Sequence, residues 1–209
     1  MGILFRCFRL LSAVSLVFPL VACQSQTLKG LVNSRGPQAL TVSVEGEHEK
    51  FEKHADYLVM TLPREGVSHL LPLIEEQDKI KLSARNEAHV TVISPPEFQT
   101  LKALISMSEI NEIAERWEIQ KSEVHAVCIG RGEAALNGHE ERTYFVVVEA
   151  ENLFSIRRAV RDLFVERGGD AESFKADHFY PHITIGFTKQ DLHEQNGVIK
   201  NAKSCRWGI

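Results

Sequence analysis

The 209-residue sequence is sparing in sulfur and in tryptophan: it has four cysteines, three methionines and two tryptophans. No two cysteines form a CxxC pair and no histidines form an HExxH element, so neither a structural nor a catalytic zinc is supported. No glycine-rich loop stands at a strand-to-helix junction, which argues against the common nucleotide phosphate loop. There is no low-complexity segment and no short-period repeat, and hence no sign of a fibrous or disordered chain. The longest apolar run, residues 10–21, is too short to span a bilayer comfortably. Basic charge is also scarce, with 24 Lys and Arg against 28 Asp and Glu. An acidic body is a poor grip for long nucleic acid, whose phosphates are held largely by Lys and Arg.

What is present is ordinary for a globular protein: 44% hydrophobic and 25% charged residues. The length suits one moderately sized domain with a sizeable core. The amino terminus is a separate matter. Arg6 and Arg9 precede the apolar run, which ends in Leu20-Val21-Ala22-Cys23. That pattern resembles a bacterial lipobox and implies cleavage before Cys23 and lipidation of its thiol and new amino group. A plain secretory signal and an uncut membrane anchor are the alternatives. Gln24 in place of Asp resembles outer-membrane sorting in Gram-negative lipoproteins. The organisation expected is a signal peptide over 1–22, the lipidated Cys23 and a tether over 23–37, and a domain over 38–209. Residues 1–22 carry two Arg and no acid, so the remainder has 24 − 2 = 22 basic against 28 acidic residues, a formal −6.

Within the domain, alternating apolar and polar residues predict strands over 40–44, 57–62, 88–93, 124–129, 143–149 and 182–187. Helical spacing predicts helices over 68–77, 97–105, from Ser106 onward and from Asn152 onward. Ser106 and Glu109 have capping-box spacing, and Asn152 is placed to cap its helix. Gly168-Gly169 closes that helix. Residues 130–142 read as a long polar hairpin loop, and the tail to Ile209 is ambiguous. The class is α+β with hairpins, since the elements do not alternate strictly as βαβ.

One element recurs. His89-Val90-Thr91-Val92 is matched by His182-Ile183-Thr184-Ile185. In a strand, residues i and i+2 share a face, so each copy presents an imidazole and a hydroxyl from an apolar footing. With nine His and eight Thr in the chain, roughly a third of one His-x-Thr match is expected by chance. Two copies with apolar residues at both remaining positions belong to well under one in about a hundred shuffled chains. Displacement at a phosphodiester needs one group to take a proton from the nucleophile and another to give one to the leaving oxygen. Two imidazoles can do both near neutral pH. The threonine hydroxyls can donate to the non-bridging oxygens. No metal or other cofactor is required in that scheme.

The paired elements, with the lead-in Phe179-Tyr180-Pro181 before the second, resemble the 2H phosphoesterase superfamily. That group includes bacterial 2′-5′ RNA ligase-like proteins and cyclic phosphodiesterases. The resemblance covers roughly residues 38–209. It implies a two-lobed α+β fold of duplicated antiparallel sheet, related by a pseudo-twofold axis about a central groove. It assigns His89 and His182 as catalytic and Thr91 and Thr184 as phosphate-binding. The implied reaction opens a 2′,3′-cyclic phosphate or a related cyclic ester, and some members act on RNA ends. The export signal departs from familiar members. It points to cyclic mononucleotides or short oligonucleotides in a bacterial envelope rather than to RNA repair. The expected setting is a monomer anchored by lipid, on the periplasmic face of the outer membrane if the cell is Gram-negative. A non-catalytic nucleotide-binding module and a scaffold lipoprotein are the competing functions.

Other residues carry weaker signals. Tyr180 is a candidate for base stacking, with packing at the core or rim as the alternative. His178 reads as a surface histidine, and His48 and His54 as part of a solvated charged edge. Arg131 reads as a solvated loop residue, with reach to a phosphate as the alternative. Arg157, Arg158 and Arg161 are placed on the polar face of a helix. Cys128 and Cys205 read as two buried free thiols, a disulfide being the alternative that an exported compartment permits.

Overall fold

The computed structural model describes residues 51–209. The expected signal peptide, Cys23, the tether, His48 and the strand at 40–44 lie outside the described residues. The described residues form six strands: β1 (Leu58–Leu62), β2 (Ala88–Ile93), β3 (His125–Leu136), β4 (His139–Glu149), β5 (His182–Phe187) and β6 (Cys205–Gly208). They form one sheet in the order β1-β2-β5-β4-β3-β6, and every neighbouring pair is antiparallel. The helices are α1 (Glu65–Ser68), α2 (Leu70–Asp78), α3 (Pro95–Leu101), α4 (Met107–Arg116) and α5 (Glu151–Glu166). This is the α+β antiparallel-sheet architecture expected of a 2H phosphoesterase-like fold.

A continuous core joins the inward residues of the strands to the apolar sides of the helices. Val90, Val92, Ile183, Ile185, Tyr144, Val146 and Val148 meet Ile110, Ile113, Leu153, Ile156 and Val160 there. The period-2 alternation of β4 sends the intervening residues Phe145 and Val147 elsewhere, into a second small cluster with Cys128. The sheet therefore has a core face and a second face, and the second face carries the site.

Local chemistry explains the element boundaries. Ser106 Oγ accepts from the Glu109 N–H at 3.3 Å while Glu109 Oε2 accepts from the Ser106 N–H at 2.8 Å, the capping box expected for α4. Pro95 and Pro96 stop β2 and open α3, where the lack of an N–H costs nothing. Gly168, at φ +91°, terminates α5 in the left-handed region that glycine tolerates.

Several expectations are corrected. Residues 130–142 are not a loop: β3 and β4 run on in register to a two-residue turn, Leu136 facing His139. Asn137 and Gly138 both have positive φ, 52° and 77°, as the tight hairpin turn that matches strand twist requires. Asn152 does not cap α5. Its amide donates to the Trp117 carbonyl at 2.9 Å and to Ser122 Oγ at 2.8 Å, tying α5 to the end of α4. Arg131 is held by Asp78 at 3.0 Å and Glu133 at 3.0 Å, so it is a structural residue of β3.

The two remaining cysteines are not free thiols. Cys128 on β3 and Cys205 on β6 form a disulfide with Cα atoms 5.7 Å apart, closing a loop 77 residues long in sequence. A loop of that length removes much conformational freedom from the unfolded chain, so losing the bond should cost roughly 2–4 kcal/mol. The measurement is a denaturant titration of Cys128→Ser/Cys205→Ser against wild type. Agreement of the two within about 0.5 kcal/mol would contradict a stabilising role.

Candidate active site

β2 and β5, which carry the two His-x-Thr elements, are neighbours in the sheet, paired through Val90 opposite Ile183. Antiparallel partners are related by a local twofold axis through such a pair. That axis carries His89 onto His182 and Thr91 onto Thr184. The same register sets His89 across from Thr184 and Thr91 across from His182. Val90, Val92, Ile183 and Ile185 are buried in the core, while the two His and two Thr are only partly buried on the opposite face. The histidines are thus diagonal neighbours on one face, and such positions lie roughly 7–8 Å apart. That spacing leaves room for one phosphoryl group between the rings.

The imidazoles differ in environment. His182 Nδ1 lies 2.8 Å from the Tyr180 carbonyl. A carbonyl only accepts, so Nδ1 carries the hydrogen and Nε2 keeps a lone pair. Burial, reinforced by the nearby charge of Lys200, pulls the His182 pKa down to about 3. The ring is therefore neutral at physiological pH. His89 is 17% exposed, with Nδ1 3.4 Å from Glu87 Oε1. Burial lowers its pKa as well, but the Glu87 carboxylate pulls the other way and favours the imidazolium.

Behind the pair lies a cluster that motif reading did not find. Asp191, 6% exposed, accepts from Lys200 Nζ at 2.7 Å, from Thr143 Oγ1 at 2.7 Å and from Thr184 Oγ1 at 3.1 Å. Arg85 lies 3.7 Å from the same carboxylate, and His193 lies 3.9 Å away. Burial pushes the Asp191 carboxyl up, but the charge and hydrogen bond of Lys200, with Thr143, outweigh it and hold the pKa at about 2. Thr184 has a single hydroxyl proton, and in the free protein it is committed to Asp191. No sequence signal marked Asp191 or Lys200, because both lie in the irregular chain after β5.

A cleft of about 640 Å³ opens where β3 begins, β4 ends and β5 begins, and none of the four His-x-Thr residues is among its lining residues. Tyr180, Pro181, Val147, Phe154, Phe179 and Lys200 are among its lining residues. Tyr180 is one of the residues lining this cleft, and its carbonyl accepts from His182 Nδ1. His178 is exposed and pairs with Glu194 at 3.2 Å, the surface role expected of it. His54 stacks on Tyr57 with ring centres 4.1 Å apart.

Arg157 overturns its placement on a polar helix face. It is 1% exposed and points into the core between the rings of Phe174 and Phe179, 4.8 and 4.7 Å from their centres. Its guanidinium donates to the Val92 carbonyl at 2.6 Å, to the Ala176 carbonyl at 2.8 Å and to Glu97 at 2.7 Å. It thereby ties the end of β2 to the segment leading into His182.

An antiparallel α+β sheet in which two adjacent interior strands present twofold-related His-Thr pairs defines a two-histidine phosphoesterase. The chain belongs to the 2H phosphoesterase family: the family model described as "Swiss Army Knife, 2H phosphoesterase domain" (2H-SAK) matches residues 57–193. No curated protein matches the chain, and no solved structure does.

Proposed function

We propose that this phosphoesterase opens 2′,3′-cyclic phosphates of nucleotides or short oligonucleotides by metal-independent acid/base catalysis between His89 and His182. The observation that carries this is the local twofold through Val90 and Ile183, which sets both imidazoles on one face. His182, neutral with Nε2 unprotonated, takes a proton from water as the water oxygen bonds to phosphorus. The bond between phosphorus and one ribose oxygen breaks, and His89, as imidazolium, gives its proton to that oxygen. One water is consumed and a phosphomonoester with a free hydroxyl results. Solvent then returns the proton from His182 to His89. Thr91 and Thr184 donate to the non-bridging oxygens, Thr184 by turning its proton away from Asp191.

The setting belongs to the same proposal. A lipid-anchored protein of a bacterial envelope meets small nucleotides rather than intact RNA, and the acidic balance of the chain fits small substrates. The Cys128–Cys205 disulfide supports an oxidising compartment.

The test is turnover of 2′,3′-cyclic mononucleotides in EDTA, followed by separation of the products. Conversion to monophosphate is the expected result. Saturable binding without product, or activity that vanishes with chelator and returns with metal, overturns the mechanism. The pH dependence of kcat/KM follows from the proton assignments. The base must be neutral, which His182 is above about pH 3. The acid must be protonated, and burial holds the His89 pKa below the ordinary 6.5. Activity is therefore expected to fall as pH rises through a midpoint below 6.5. Glu87→Gln removes the charge favouring imidazolium and should move that limb further acid, more so at low salt. A rate that still climbs above neutrality contradicts the assignment of base to His182 and acid to His89.

A further inference from the structure

Lys200 is a cation in an expensive place. Its side chain is 3% exposed, and burial lowers its pKa against the pull of Asp191. An ammonium group taken out of water has to be compensated by its surroundings. Asp191 accepts one of its three N–H groups at 2.7 Å. No other described residue accepts from it.

The unspent donors are in the right neighbourhood. Asp191 bridges Lys200 to Thr184, with one carboxylate oxygen on each. The ammonium lies 5.5 Å from the centre of the Phe145 ring. That ring meets His182 edge-on at 5.8 Å, and Phe145 faces Thr184 across the sheet. Lys200 also lines a cleft together with Tyr180 and Pro181, the two residues that lead into His182. Two anchors hold its segment there. Val198 sits over Gly132, where a Cβ would fall 2.2 Å from Val198 Cγ1, and Cys205 is bonded to Cys128.

We propose that Lys200 is a catalytic residue of this enzyme: its ammonium group receives the non-bridging oxygens of the scissile phosphate, with Asp191 holding it in position. This rests on the phosphoesterase reading of the same site, but Lys200 lies beyond the residues that the family model matches. A transferring phosphoryl group gathers negative charge on its non-bridging oxygens. A fixed cation in a water-poor site stabilises that charge far better than one in solvent. Two threonine hydroxyls, one of them engaged by Asp191, supply no full charge. Lys200 supplies it without taking part in proton transfer, which stays with the histidines.

The variants are Lys200→Met, which keeps the stem without the charge, and Lys200→Met/Asp191→Asn, which removes both charges and leaves no buried ion unpaired. Each is measured for kcat and KM on a 2′,3′-cyclic mononucleotide and for thermal stabilisation by inorganic phosphate. Lys200→Met should lose roughly 10²–10³-fold in kcat/KM. The double variant should remain as inactive, and neither should respond to phosphate as the wild type does. A Lys200 that serves only as counter-ion to Asp191 predicts recovery in the charge-neutral double variant, and that recovery overturns the proposal. So does a wild type that phosphate does not stabilise. If the wild type responds to phosphate through Lys200 yet turns over no cyclic nucleotide, the substrate assignment falls and the anion site stands.

Discussion

Replacement of His182 by glutamine is expected to lower kcat by about 10²–10⁴-fold while the fold is retained, and His89→Gln should do the same. In the proposed mechanism each histidine moves a proton that the other cannot reach, because the two flank the phosphorus from opposite sides. The double variant should therefore be little worse than either single one, as for groups that act as a unit. For His182 a second readout separates catalysis from structure. Its pKa in the folded protein is about 3, well below the ordinary 6.5. Between those values the unfolded chain binds a proton that the folded chain does not, so stability rises with pH across the window. The wild type should lose stability as pH falls from 6.5 toward 3, and His182→Gln should lose less. Full activity in either single variant would sink the two-histidine mechanism. An acid stability profile unchanged in His182→Gln would sink the account of its burial.

Arg157→Met is expected to lower the unfolding free energy by roughly 3–5 kcal/mol, the range for breaking a buried pair by removing one partner. The loss has named parts. Glu97 keeps the Ser94 N–H at 2.8 Å but loses its cation. The carbonyls of Val92 and Ala176 are left without the donor that reaches them, and a buried polar group with no partner costs about 1–3 kcal/mol. Arg157→Lys should not rescue, because one ammonium cannot reproduce a planar fork that reaches Glu97 and two separate backbone carbonyls. Urea titration measures both variants. A lysine variant within about 1 kcal/mol of wild type would show that charge alone suffices. Because Arg157 joins the end of β2 to the approach to β5, kcat should fall in the folded fraction as well. A misplacement near 1 Å is enough to cost about 100-fold when two groups must flank one phosphorus.

The two kinds of arginine error and success show where sequence reading works. Arg158, expected on the solvated face, is exposed and bridges Glu151 and Asp177 on the surface. Arg157 sits one residue earlier in the same helix and faces the core, four residues from Leu153 on the buried stripe. The helical period alone puts it there, but a charged residue is assigned to water unless a partner is known. The partners are Glu97 and carbonyls up to 65 residues away in sequence. The β3–β4 hairpin is legible in the sequence, but the outer extension of its strands is not, for a local reason. The outer end of β4, His139-Glu140-Glu141-Arg142, is polar throughout and that of β3 holds mostly small residues, so alternation is weak and only the Asn137-Gly138 turn signal marks the extension.

The two His-x-Thr strands were legible because everything that makes them strands lies within six residues of chain. Alternating apolar and polar side chains commit one face to the core and the other to the groove, whatever else the protein does. From that follows the chemistry the histidines can perform, while the α+β class follows from the order of strand and helix patterns along the chain. What only the tertiary structure decided is how the site is charged and held. The pairing of β2 with β5 brings two distant copies into one twofold. The Tyr180 carbonyl selects the tautomer of His182. Asp191 joins Thr184 to Lys200, Arg157 locks the approach, and the Cys128–Cys205 bond fastens the last strand. Each of these is a contact between segments with no common period. Their energies come from burial and charge proximity, which exist only once the chain has closed on itself.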